Sequence, residues 1–317
     1  MRSGGGSDGM DNAAETAPKS DPAQSGSDDE RDLSHDDPER QETDRDIEQD
    51  ESGLTGHERG QIKDNLRLSA ITVFSVIRRE GEEELHRPAM SLWFSGIAAG
   101  IGISTSVFAQ GLLHNAYADH PQRELIAAFG YAMGFVLVVL SRLQLFTENT
   151  LTAVLPLLAS PNLERLWRTG RLWAIVLAAN LLGTFLTALL VDIFADPAHP
   201  TVAGMLDVSR KAAEAQGWTA LLDGVPAGFF IAAFVWMLPS SKGFEIFVVA
   251  LFAWLISAGG FAHVVAGSTE MFLLVLHGEL PILDAFTLHL APTLLGNVIG
   301  GTGLFALLAF GQIKAEI

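Results

Sequence analysis

The chain contains no cysteine. Disulfides, thiolate metal sites and cysteine nucleophiles are therefore excluded. The first twenty residues lack the apolar stretch of a secretory signal, so no cleaved leader is expected. No basic patch occurs anywhere, which argues against a nucleic-acid partner. There is also no metal-ligand cluster, nucleophile motif or phosphate-binding loop. Neither an enzyme nor a bound cofactor or metal is expected.

Acidic residues are in excess, but unevenly. The formal net charge is −17 in 317 residues that are 49% hydrophobic. Residues 1–84 hold 23 Asp and Glu against 10 Lys and Arg, while residues 85–317 hold 14 against 10. The acidity thus belongs to the N-terminal segment and says little about the apolar body. Residues 1–60 are rich in Ser, Gly, Asp and Glu with almost no aromatics. Such a segment cannot bury enough apolar surface to offset ordering entropy, and we expect a disordered acidic tail. Residues 61–86 read as an amphipathic, polar helix, with Ile62, Leu66, Ala70, Phe74 and Ile77 on one face. It would either lie along the membrane surface or pack on the body.

Residues 87–312 hold six apolar stretches near the length a bilayer demands. They run over 90–113, 125–158, 172–194, 221–238, 244–276 and 285–310. The second and fifth are too long for one simple crossing, and each is interrupted. The breaks lie near Arg142–Thr147 and Gly259–Ala262, the second opening on Gly259 and Gly260 and followed directly by His263. Non-helical backbone at membrane depth must be buried in protein or line a watery cavity. An ionisable residue there is a functional candidate. Arg165, Arg168, Arg171, Lys242 and Lys314 fall in loops on one side with Arg78, Arg79 and Arg87, against Arg123, Arg210 and Lys211 on the other. That excess places both termini, including residues 313–317, in the cytoplasm. The location expected is a bacterial inner (plasma) membrane, with the lipid bilayer as a partner.

The two halves repeat. Gly96 and Gly100 in span one match Gly224 and Gly228 in span four. Asn180 and Gly183 in span three match Asn297 and Gly300 in span six, and the broken spans fall between in the same order. Three spans per repeat is an odd number, so the second repeat would be inverted relative to the first. Interrupted helices in corresponding halves are the sequence pointer to a transport site. Asn180 and Asn297 read as structural groups that satisfy backbone freed at the breaks.

Certain motifs carry a resemblance. Leu145-Phe146-Thr147 lies in the broken second span, and Gly260-Phe261-Ala262-His263 in the broken fifth. Pro292 leads to Gly296-Asn297 and Gly300-Gly301 in the sixth. Together these resemble the formate/nitrite transporter family, over about residues 60–312. The acidic tail and the entry to span one are similar to its YfdC-like branch. The resemblance implies an all-α integral membrane protein with an aquaporin-like inverted repeat of 3+3 transmembrane helices and broken helices 2 and 5. It implies a homopentamer in which each protomer has its own path for a small anionic solute, of the formate, nitrite or hydrosulfide kind. It places His263 and Thr147 face to face between two apolar constrictions. Leu145 and Phe146 would belong to one constriction and Ile256 to the other, while Phe261 reads as a packing residue. A proton shared at the central histidine would let a weak acid cross uncharged. Half-helices starting near Thr147 and His263 would direct positive dipole ends at the site.

The sequence also departs from that pattern. Ala262 stands where a carboxylate is usual beside the histidine. Arg142, Glu148 and Glu270 are candidate pore or vestibule charges, with an Arg142–Glu148 pair or a vestibule rim as alternative settings. A glutamate facing the path would repel anions. Two other readings therefore stay open: a channel for a small neutral or cationic solute, and a non-transporting membrane scaffold with an acidic recruiting tail. Aquaporin-type NPA motifs are absent, which argues against a water or glycerol pore.

Overall fold

A computed structural model describes residues 53–58 and 66–315. The expectations for the acidic tail fall outside those residues, apart from 53–58. Helix α1 spans Ala70–His86 and starts after Ser69, whose hydroxyl accepts the Thr72 amide. The helical start expected near residue 61 is thus not seen at 66–69, which are not helical. The Ser69 hydroxyl satisfies a first-turn amide and so fixes the start. Val73, Phe74, Ile77 and Leu85 of α1 are buried in the protein body. Phe74 meets the ring of Phe310, and Glu82 pairs with Arg165 at 2.8 Å.

The long helices are α2 (Ala89–Ala116), α3 (Arg123–Leu140), α6 (Leu163–Phe194), α8 (Trp218–Met237) and α11 (Ile282–Ile313). All five are long and apolar enough to cross a membrane. The second span is completed by two short helices, α4 (Asn149–Thr152) and α5 (Val154–Ala159). The fifth span consists of α9 (Glu245–Ala258) and α10 (Val264–Leu276). Both breaks therefore fall where the sequence places them. Large apolar side chains such as Phe94, Phe129, Met133, Phe194, Phe247 and Leu251 are exposed on the outside of the bundle. Helices apolar on every side are what a lipid or subunit environment requires.

Two differences from the sequence reading have local causes. Helix α6 begins nine residues before the apolar stretch at Leu172. Asn162 caps its first turn by accepting the Arg165 amide, and Glu164 pairs with Arg168 one turn on. Helix α7 (Pro200–Ala212) occupies what reads as a polar connection. Its Val202, Met205, Leu206 and Val208 are buried. Too few apolar residues stand in this stretch to read as a span, so a short helix packed across the bundle end escapes a search for spans.

Small residues bring helix backbones into contact. A Cβ placed on Gly100 would lie 2.2 Å from the Asn180 carbonyl oxygen, and one on Gly183 2.3 Å from that of Ile97. In the other half, a Cβ on Gly228 would lie 2.1 Å from the Asn297 carbonyl, and one on Gly300 2.0 Å from that of Val225. Close approach at small residues is the usual source of helix adhesion in membranes. Helix α11 winds more widely, as π-helix, over Ala285–Leu290 and Ile299–Ala306, on either side of Asn297.

Because the atoms in the way are backbone, no rotamer change relieves a side chain at these positions. Gly228→Val should destabilise the protein by about 3 kcal/mol, the top of the ordinary overpacking range. Gly170 on α6 has nothing within 4 Å of its virtual Cβ. Gly170→Ala should stabilise by roughly 0.4–1 kcal/mol through the unfolded chain. Unfolding of both variants in the same detergent measures the contrast.

Candidate functional site

Each break is held by one asparagine. Asn180 Oδ1 accepts the Phe146 amide at 2.9 Å, and its Nδ2 donates to the carbonyls of Gly96 and Gln144, each at 2.8 Å. Asn297 Oδ1 accepts the Val264 amide at 2.8 Å, and its Nδ2 donates to the carbonyls of Gly224 at 2.8 Å and Ala262 at 2.9 Å. Both side chains are fully buried. The two sets match bond for bond: an amide in the break, a carbonyl in the break, and the carbonyl of the facing small residue. An exposed amide or carbonyl in an apolar medium costs several kcal/mol, so these bonds make the interruptions tolerable. Gly260 turns the second break with φ +69, a value a glycine takes without strain. At the first, Arg142 takes φ 53 despite its side chain.

His263 and Thr147 meet between the breaks. His263 Nε2 and Thr147 Oγ1 are 2.7 Å apart. Both residues are buried, His263 at 2% exposure and Thr147 at 0%. His263 is also the N-cap of α10, its Nδ1 accepting the Ala266 amide at 3.2 Å. A ring nitrogen that accepts carries no proton, so the neutral ring holds its proton on Nε2 and donates it to Thr147. The Thr147 hydroxyl is then free to donate onward, with no other partner among the described residues. The cap role that Thr147 could have taken is unfilled, since α4 has no side-chain cap. Phe135 closes one side of the imidazole, edge to face at 5.0 Å.

The remaining sequence candidates divide between two sides of this pair. Leu145 and Phe146 are buried, and Phe146 packs edge-on against Trp173 at 5.6 Å. Ile256 is fully buried on α9. Arg142 pairs with Glu80 of α1 at 3.3 Å and not with Glu148, so that ion pair does not form. Arg142 lies at the exposed end of its loop, turned toward α1. One Glu148 carboxylate oxygen is buried without a hydrogen-bond partner.

On the α7 side a vestibule of about 450 Å³ runs from the exposed Glu124 and Lys211 down to His263. Phe261 and Glu270 line it. Helical phase explains the placement of Glu270. The preceding Ser268 bonds Thr184 of α6 at 2.8 Å, and Thr269 bonds Ser104 of α2 at 2.9 Å. A further 100° of helical rotation turns residue 270 away from both. Sequence reasoning passed over Gln110, Tyr131 and His289, which share the vestibule wall. The signal was available, because His289 is an ionisable residue inside a span.

Removing an asparagine side chain would strand three backbone groups. Asn297→Ala should destabilise the protein by at least about 2 kcal/mol, given roughly 1–3 kcal/mol for each unsatisfied buried group. Asn297→Asp keeps the acceptor for the Val264 amide but sets a second acceptor against the carbonyls of Gly224 and Ala262, and should lower the unfolding midpoint at least as far as Asn297→Ala.

Comparison with known proteins identifies the family and the fold. The sequence profile of the formate/nitrite transporters matches residues 71–311. Inner membrane protein YfdC of Escherichia coli (strain K12) is 35% identical over 255 residues, covering 80% of this chain and 82% of that protein. The formate-nitrite transporter of Plasmodium falciparum (isolate 3D7) is 22% identical over 240 residues, covering 70% and 77%. Among solved structures, one described as a pentameric formate channel with formate bound has a TM-score of 0.60 at 20% identity, covering 72% of this chain and 98% of its own. An ion channel of the same family has a TM-score of 0.65 at 19% identity, covering 77% and 98%. The fold is that of an all-α integral membrane protein, and the chain belongs to the formate/nitrite transporter family.

Proposed function

We propose that this protein is a channel or proton-linked carrier for small monovalent anions of weak acids, of the formate, nitrite or hydrosulfide type, and not an enzyme. The observation that carries the reading is the buried His263–Thr147 pair at 2.7 Å between two helix breaks. Family membership supports it, as does likeness in fold to a pentameric formate channel. The protein would work as a homopentamer in a bacterial inner membrane with both termini cytoplasmic. The α2–α6 half and the α8–α11 half would be inverted copies, consistent with their matched asparagine bonds. The acidic segment 1–60 would then lie in the cytoplasm.

Charge is the obstacle to passage. A charged side chain at the bilayer centre costs at least about 2.5–3.5 kcal/mol. A carboxylic acid with a pKa near 3.5 is protonated at pH 7 for roughly 5 kcal/mol, at about 1.36 kcal/mol per unit. The two costs are comparable, so modest stabilisation of the anion at the point of proton pickup decides the rate. His263 and Thr147 provide it as two aligned donors, Nε2–H to Oγ1 and O–H to the solute. A second proton on Nδ1 would break the α10 cap. The imidazole therefore acts as a fixed donor that holds the anion through Thr147 until a proton from the water of the vestibule reaches another lone pair of the solute, which then crosses as the neutral acid. Leu145 and Phe146 would form one apolar seal. Ile256 would contribute to the other.

Formate or nitrite flux into vesicles containing the reconstituted protein tests this. His263→Ala and Thr147→Val should each lower flux by at least about tenfold, the value of one charge-assisted hydrogen bond. Thr147→Ser should retain most of it. Flux in all variants at the wild-type level, with folding and assembly intact, would refute the pair's role. Wild-type flux should also rise as pH falls on the loading side, since the neutral acid increases about tenfold per pH unit above its pKa.

A further inference from the structure

Helix α11 supports both members of the central pair. Its Asn297 fixes the second break by accepting the amide of Val264, the neighbour of His263. Five residues on, Thr302 Oγ1 donates to the carbonyl of Thr150 at 2.6 Å. Thr150 is fully buried, and its own hydroxyl donates to the carbonyl of Thr147 at 2.7 Å. Thr150 also rests on Gly301, where any Cβ would collide with its hydroxyl oxygen. A hydroxyl inside a helix commonly turns back to a carbonyl of that same helix. Thr187 does so to Gly183, and Thr287 to Leu283. Thr302 crosses to another span instead.

Winding explains how one helix reaches both breaks. Residues five apart in an α-helix are rotated by about 140° and face different neighbours. Helix α11 is π-wound from Ile299, and π winding bonds each residue to the fifth along. Residue 302 is thereby turned back toward the face that carries Asn297.

The first break needs this support more than the second. Helix α4 has four residues, whereas α10 has thirteen. A single helical turn is not stable by itself. Three side chains hold carbonyls of α4 and its C-cap: Trp173 Nε1 on Asn149 at 3.1 Å, Thr302 on Thr150, and Thr169 Oγ1 on Ala153 at 3.2 Å. Trp173 and Thr169 belong to α6, so of the three only Thr302 comes from the helix that also fixes His263. At the second break Ser268 takes the place of Thr150, donating to the Val265 carbonyl at 2.6 Å. Thr184 of α6, four residues after Asn180, bonds the Ser268 hydroxyl at 2.8 Å. Four residues after Asn297 stands Gly301, which has no hydroxyl. The Thr302 bond is therefore no copy of the other half, and it serves the break that carries Thr147.

We propose that Thr302, acting through Thr150, is a positioning residue that sets Thr147 against His263, with the widened α11 fixing the spacing of the pair. The proposal rests on the reading that Thr147 holds the solute.

Formate flux into vesicles by the reconstituted full-length protein tests it. Thr302→Val keeps the shape and loses the donor. It should lower flux about fivefold, the worth of one neutral hydrogen bond. Thr302→Ser keeps the donor and should retain most of the flux. A residue that acts through another is not additive with it. Adding Thr302→Val to Thr147→Val should therefore lower flux no further, whereas a merely structural loss would multiply. Wild-type flux in Thr302→Val, equal losses in Thr302→Val and Thr302→Ser, or a further fivefold loss in the double variant would each overturn the proposal. Should Thr302→Val fail to assemble, Thr150→Val replaces it in the same comparison, with wild-type flux or an additive loss counting against the role. Wild-type flux in Thr147→Val would instead overturn the reading of the pair itself, and this proposal with it.

Discussion

Backbone interrupted inside a bilayer has to find its hydrogen bonds within the protein, and the whole architecture follows from how this chain meets that demand. Two asparagines do it, Asn180 and Asn297, each with one acceptor and two donors committed to backbone. An asparagine can reach the facing helix only if that helix comes close. Glycines at 96, 100, 224 and 228 permit the approach, because any side chain there would collide with the opposite backbone or with the side chains on it. The breaks, the small residues and the asparagines are therefore one device used twice.

Where the breaks lie fixes what the site can do. The second break ends on His263, which caps the helix that follows it. Capping takes up Nδ1 and so fixes which nitrogen carries the proton. The first break delivers Thr147 to that nitrogen. The ring's polarity is thus set by a backbone amide three residues away in sequence, and not by a carboxylate neighbour. Ala262 stands in the position where such a neighbour would sit, and its own carbonyl is bound by Asn297.

The two approaches to this pair differ in chemistry. Toward α1 buried apolar residues enclose the buried Gln144 and Asn149 and the unpartnered oxygen of Glu148, with Arg142 drawn off to Glu80. Toward α7 there is an open vestibule lined by Glu270, Tyr131, Gln110 and His289. Two halves with matching asparagine bonds thus have unlike surroundings on the two sides of the pair. The polar contrast comes from residues that differ between corresponding spans, chiefly Glu270 on α10, His289 on α11 and Gln110 on α2. Helix α7 and its ion pairs with Glu279 and Glu124 close the rim of that mouth.

The sequence by itself determined the membrane spans, the two breaks and the recurrence of small residues and asparagines at matching places in the two halves. These are encoded locally, since about twenty apolar residues span a bilayer and each overlong apolar stretch carries polar or glycine residues at its interruption. His263 and Thr147 were legible for the same reason, being polar residues placed next to breaks. The partner of Arg142, the helical nature of residues 200–212 and the start of α1 were decided elsewhere. An ion pair depends on which surface charge comes within 4 Å, and Glu80 lies 62 residues away in sequence. Helix α7 depends on a body to pack against. The vestibule belongs wholly to tertiary structure, because its walls come from seven separate helices, α2, α3 and α7 to α11, and only their packing encloses one space.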